Sequence, residues 1–196
     1  MDSGRFETFV DAIIAIMMTV MILKIPQPST LNLEGLWNLK MVYLSYFLSF
    51  MVLLSIWNHH RKLFEEIKEF DNLVIFIYMF LTFIITLLPY FTAWCALNPH
   101  ELVPEICYGG VFILTNIAYV FAAYFAMKRD KFTEHPDLDL DKSTYLNFTV
   151  FFIGFILAIL CNIPYAIFIS CILSLIVWNF TAKFFSNEKG VGWCGN

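Results

Sequence analysis

Ser143–Ala182 reads STYLNFTVFFIGFILAILCNIPYAIFISCILSLIVWNFTA, 40 consecutive residues without a formal charge. At about 1.5 Å per residue a single helix of that length would reach roughly 60 Å, twice the roughly 30 Å of a bilayer's hydrocarbon core. The run must therefore fold back on itself. Asn162-Ile163-Pro164 is the only punctuation near its middle, which predicts a tight hairpin between two membrane-crossing helices. Working outward from this run, Met41–His60, Asn72–Pro99 and Ile106–Met127 are also uncharged and long enough to span. The whole chain of 196 residues is 60% hydrophobic and 14% charged, with 22 phenylalanines. A soluble domain carries about 25% charged residues and has no means of hiding so much apolar surface. The fold class expected is an all-α integral membrane protein. Residues 1–196 would form one six-helix transmembrane domain, with spans near 6–25, 38–58, 72–93, 106–127, 145–162 and 164–185.

The first span differs from the rest. Only Ala12–Leu23 is free of charge, too short a stretch to cross alone, so the helix must reach back through Asp11 and Glu7. An acid at or near membrane depth normally faces a bundle interior or a water-filled path rather than lipid. This places span one centrally and leaves spans three to six, rich in Phe, Ile and Leu, to meet lipid.

Orientation follows from the basic residues. In the six-span arrangement Arg5, Arg61, Lys62, Lys68, Lys128, Arg129, Lys131, Lys142, Lys183 and Lys189 share one side, and only Lys24 and Lys40 lie on the other. By the positive-inside tendency both termini are cytoplasmic. Trp37, Trp57 and Trp94 fall near span ends, where tryptophan anchors a helix at the interface. The lipid bilayer is thus one expected partner, and no nucleic-acid partner is expected. No cleavable signal peptide is evident.

Chemistry is sparse. No zinc spacing appears among Cys95, Cys107, Cys161, Cys171 and Cys194, although Cys95 and Cys107 flank one expected outside loop and are a candidate pair. The segment from Lys128 to Lys142, mixed in charge with alternating Asp, lacks the glycine and closing glutamate of a calcium loop. No second acid accompanies Asp11 to hold a metal pair, and no H-E-x-x-H or G-x-S-x-G pattern occurs. Neither an enzyme nor a cofactor is expected, and no metal site is assigned. A Thr-Val-Gly-Tyr-Gly filter is also absent, and Gly109-Gly110 reads as a place for close helix packing in span four.

On a wheel of about 100° per residue, Ala12, Ile16, Thr19, Val20 and Leu23 form one stripe of the first helix, with Asp11, Ala15, Met18 and Ile22 pointing elsewhere. Two readings fit that stripe. It is a plain packing surface, or copies of the helix meet around an axis with these residues inward. Stacked rings of Ile, Val and Leu close a pore by dewetting, and a threonine ring offers hydroxyls to a partly dehydrated ion.

Arg5-Phe-Glu-Thr-Phe9-Val10-Asp11-Ala-Ile-Ile-Ala15-Ile16-Met-Met-Thr19-Val20-Met-Ile-Leu23 resembles the first helix of the transmembrane protein 175 family. That family comprises the endolysosomal potassium channels of animals and their bacterial and archaeal relatives. Its pattern runs Arg, three residues, Phe-Ser-Asp, then Ala/Ser-Ile, two residues, Thr. Trp57-Asn-His59-His60-Arg61-Lys62-Leu63-Phe64 looks like its Trp-x-x-His-x-x-Leu-Phe, and Leu88-Pro89-Tyr90 like its Leu-Pro-Tyr/Phe. Val10 replaces the serine of Phe-Ser-Asp, and Tyr78 stands where related chains often carry asparagine; neither touches the stripe. The specific motifs, with Phe9 and Trp57 among their residues, lie in the first half of the chain.

The resemblance implies a single-repeat member, assembled as a homotetramer around a central pore lined by the first helix of each of four subunits. Carried over by position, Ile16 forms the main constriction, Val20 and Leu23 form further rings, and Thr19 lines the path nearby. Potassium and other monovalent cations are then the permeant partners, with modest preference for potassium over sodium. Arg5, Asp11 and His60 would form an inner-leaflet network tying span one to span two. The rival readings are a proton- or cation-coupled secondary transporter using Asp11 and His60, and a non-conducting scaffold. A transporter calls for polar groups near the midplane, where this chain offers little beyond Thr19, Ser49, Thr82, Thr115 and Asn116.

Overall fold

The computed structural model describes residues 3–67, 71–98, 101–129, 149–157, 169–174 and 176–177, and all regular structure among them is helical. The elements are α1 (Ser3–Ile22), α2 (Leu33–Asn38), α3 (Lys40–Glu66), α4 (Asn72–Ile85), α5 (Leu88–Leu97) and α6 (Leu102–Arg129), with further helical residues at 149–157 and 169–174. Three stretches are long and apolar enough to cross a membrane: Lys40–Glu65, Asn72–Leu97 and Leu102–Ala126. Helix α1, at 20 residues, is shorter and carries Arg5, Glu7 and Asp11.

Burial explains why lipid is the solvent. Along α4, Val74, Tyr78, Leu81, Thr82 and Ile85 turn inward, while Phe76, Phe80 and Phe83 stand exposed on the opposite side. Both faces of the helix are apolar, so the outer one has no stable home in water. The hydroxyls within these helices are satisfied locally. Ser45 donates to the Met41 carbonyl at 2.9 Å, Thr82 to that of Tyr78 at 2.8 Å and Thr115 to that of Val111 at 2.8 Å. Such back-bonding removes the cost of an unpaired hydroxyl in an apolar medium.

The second apolar stretch, Asn72–Leu97, is broken where the sequence anticipates one span ending near residue 93. Helix α4 stops at Ile85, and α5 resumes at Leu88 and runs to Leu97. Pro89, in the first turn of α5, has no N–H to give back and its ring crowds the preceding turn. The chain tightens through Leu87, whose N–H reaches the Ile84 carbonyl at 3.0 Å, then continues helical. The helix is interrupted for two residues, Thr86 and Leu87, and then resumes within the same apolar stretch.

Helix α1 packs against α3, α4 and α5, and α6 closes over α4 and α5. Helix α3 is tied to both α5 and α6 by a buried triad of hydroxyls. Ser49 Oγ lies 3.0 Å from the Tyr108 hydroxyl, and Thr92 Oγ1 donates to Ser49 Oγ at 2.9 Å. At Gly154 an added Cβ would collide with the Ser170 side chain, so the helical residues 149–157 and 169–174 cross in close contact. The turn expected at 162–164, the charged segment beyond Arg129, Cys161 and Cys194 lie outside the described residues.

The cysteine pairing that the sequence left open is answered, and the reading of the glycine pair is corrected in part. Cys95 and Cys107 are both free thiols, not a disulfide. Gly110 is exposed and a Cβ there would meet nothing within 4 Å, so only Gly109 of that pair is buried.

Candidate functional site: the two faces of helix α1

Helix α1 separates its apolar residues onto two sides. Phe6, Val10, Ile14 and Met21 are buried, at spacings of four, four and seven that keep them on one face. Phe6 meets the rings of Phe64 (5.9 Å between centroids) and Tyr78 (6.0 Å, edge-on), which locks the start of α1 to α3 and α4. On the other side Ala12, Ile16, Thr19 and Leu23 are exposed and Val20 is half-buried; Ile16 is 52% and Leu23 79% accessible. Most of the stripe defined on the helical wheel thus lies on the uncovered side of the protomer, where Ala15 and Ile22 are exposed as well. Thr19 Oγ1 donates to the Ile16 carbonyl at 2.8 Å, which occupies its proton and leaves its lone pairs pointing off the helix. Phe9 is exposed too, near the start of the same helix.

The inner-leaflet trio is arranged differently from the expectation. Asp11 is half-buried and accepts a hydrogen bond from the indole N–H of Trp57, at 3.0 Å. Arg61 extends over the Trp57 ring, 5.7 Å from its centroid, and pairs with Glu65 at 3.8 Å one turn further on. Arg5 is exposed. Among the described residues neither Arg5 nor His60 makes a hydrogen bond or ion pair to Asp11. Span one is therefore tied to span two by Asp11 and Trp57.

His60 is fully buried and sits among aromatic rings, 5.4 Å from Tyr78 and 5.3 Å from Tyr119, both near edge-on. Tyr78 fills the space between α1, α3 and α4 with its ring, which is what a larger residue than asparagine achieves at that position. Its neighbour His59 holds its own helix, with Nδ1 2.8 Å from the Ser55 carbonyl. Of the residues that a midplane substrate site would need, Ser49 lies within the buried hydroxyl triad and Asn116 donates to the Phe112 carbonyl at 2.8 Å. No group of three or more metal-ligating side chains occurs among the described residues. The sequence missed Trp57 as the partner of Asp11; the signal was an indole donor at the same depth as an otherwise unpaired acid.

An all-helical, multi-pass membrane protein with an uncovered apolar stripe on its first helix is the class this fold defines. Residues 5–89 match the family model described as "Endosomal/lysosomal potassium channel TMEM175". The resemblance to the transmembrane protein 175 family drawn from Arg5–Leu23, Trp57–Phe64 and Leu88–Tyr90 therefore stands. A protein of Chryseobacterium sp. (strain P1-3) named a potassium channel is 30% identical over 119 residues, 61% of this chain and 62% of that one. One of Chamaesiphon minutus, also named a potassium channel, is 30% identical over 127 residues, 60% of this chain and 63% of its own. The chain thus spans less than two thirds of the length of the curated relatives it matches. The crystal structure of a lysosomal potassium-selective channel TMEM175 homolog from Chamaesiphon minutus shares the fold. Its TM-score is 0.69 and its identity 24%, over 95% of this chain and 97% of that one.

Proposed function

We propose that this chain is a potassium-permeable cation channel of the cell membrane, assembled as a homotetramer with α1 of each subunit lining the path. The observation that carries the reading is the exposure of Ile16 and Leu23 on a helix whose opposite side buries Phe6, Val10, Ile14 and Met21. A helix bearing Arg5, Glu7 and Asp11 is a poor choice to present to lipid, whereas copies of it facing one another around an axis make a narrow apolar path. The relatives named as potassium channels support the same assignment.

In this reading Ile16 forms the constriction, Val20 and Leu23 form further rings, and Thr19 supplies hydroxyl oxygens beside it. Potassium, with its lower charge density, gives up hydration water less reluctantly than sodium, so an apolar ring penalises sodium more and selectivity is modest. The same stripe would shut the path by dewetting when the rings close. Both termini face the cytoplasm, the side bearing most of the lysines and arginines. The confinement of Ser49, Thr82, Thr115 and Asn116 to bonds within the bundle supports a channel over a midplane transporter.

The test is cation flux through purified protein in liposomes under potassium or sodium gradients, with Ile16→Asn in parallel. Potassium-favouring flux that loses its preference in Ile16→Asn is the expected outcome. Flux that saturates and follows a proton gradient would move the assignment to a transporter using Asp11 and His60, and no flux from correctly inserted tetramers would leave a closed channel or a scaffold.

A further inference from the structure

Between α1 and α3 the chain makes a compact strap whose apolar residues point away from the protein. Its shape is fixed from within. Asn32 Oδ1 accepts from the Gly35 N–H at 2.9 Å and from the Thr30 hydroxyl at 2.8 Å, capping α2. Gly35 lies so close to the Thr30 carbonyl that no side chain fits there. A strap held this way cannot fold its leucines inward. Leu31 is 106% accessible, Leu33 83% and Trp37 68%, with Leu36 also exposed.

Two features of the strap identify what covers it. The first is position. Only Leu39 separates α2 from α3, and the membrane-crossing stretch begins at Lys40, so the strap sits at the level where that helix enters the bilayer. Its exposed face runs on into the exposed Tyr43, Leu44 and Phe47 of α3. The second is charge. Lys40 Nζ lies over the Trp37 ring, 5.1 Å from its centroid, and Lys24 is exposed at the end of α1. An aromatic ring with a cation beside it suits the boundary between acyl chains and phosphates, since indole favours that depth and lysine extends to the anionic layer.

We propose that residues 31–37 are a membrane-interface anchor, with Leu31, Leu33, Leu36 and Trp37 seated among phospholipid acyl chains and Lys40 at the phosphate layer. Seated this way, the strap pins the junction of α1 and α3 to one leaflet. The anchor stands independently of what the protein conducts.

The full chain is prepared with p-benzoylphenylalanine in place of Leu33, reconstituted into vesicles of phosphatidylethanolamine and phosphatidylglycerol, and irradiated. Mass spectrometry is expected to find a phospholipid adduct at that position, several-fold above the yield from the same probe at Gln27, an exposed polar residue of the same connection. Chain-to-chain crosslinks as the main product would overturn the proposal by showing that a second copy covers the strap. An adduct yield equal to that at Gln27 would overturn it by showing that the strap stays in water. As a second readout, the fluorescence lost in Trp37→Phe should be quenched by brominated phospholipid, and unquenched emission counts against the anchor.

Discussion

The indole N–H of Trp57 donates to Asp11 at 3.0 Å, joining α1 to α3 across 46 positions of sequence. This bond replaces a network centred on arginine and histidine as the means by which an acid is tolerated in the first span. Hydrogen bonds to charged groups contribute more than neutral ones, and indole brings no second charge that itself needs a partner. Arg61 lies over the ring of the same Trp57, 5.7 Å from its centroid.

Trp57→Phe keeps the ring and removes the donor. We expect the purified protein to lose about 1–2 kcal/mol of stability, near the upper end for side-chain bonds between membrane helices. Thermal melting in detergent checks this. In an Asp11→Asn background the same substitution should cost less, because the charged acceptor is already gone.

The hydroxyl triad of α3, α5 and α6 should behave as a unit. Ser49→Ala and Tyr108→Phe each remove one end of a buried 3.0 Å contact and are expected to destabilise by about 0.6–2 kcal/mol. The double variant should fall short of the sum. Additive costs in a double-mutant cycle would mean that the two hydroxyls do not interact.

Gly154 and Gly110 should respond to alanine with opposite signs. At Gly154 the new methyl meets Ser170, so the two helical segments must separate, at a cost of about 1–3 kcal/mol. At Gly110 the space is open, and alanine should stabilise α6 by up to about 1 kcal/mol through helix propensity. Melting temperatures of the two variants measured side by side check both signs.

Ile14→Ala and Ile16→Ala make the same chemical change two positions apart. Ile14 is buried at 1% accessibility, and its truncation should cost about 2–5 kcal/mol of stability. Ile16, exposed on the opposite face, should leave the stability of the protomer nearly unchanged while altering cation flux. Equal destabilisation by the two would contradict the two-faced reading of α1.

Much of this was legible in the residues. The uncharged runs from Met41, Asn72 and Ile106 mark the three apolar stretches, because a bilayer demands length and hydrophobicity that a single chain segment displays by itself. The stripe from Ala12 to Leu23 was also readable, since helical periodicity is local. Pro89 was visible as part of the Leu-Pro-Tyr motif, but its interruption of the helix was not. Whether a proline ends a helix or bends it depends on whether neighbouring helices hold the two halves together, and here α5 carries on against α3 and α6.

The sequence by itself determined a helical membrane protein with one unusual first span, because backbone hydrogen bonding in lipid allows few alternatives. It also determined which residues of α1 share a face. Only the tertiary structure decided that Asp11 meets Trp57, that His60 lies among Tyr78 and Tyr119, and that Tyr108 reaches Ser49. The reason is physical. When both faces of a helix are apolar, hydrophobic patterning does not say which one meets protein and which meets lipid. Partners between helices then depend on their relative rotation and depth, which no single segment encodes.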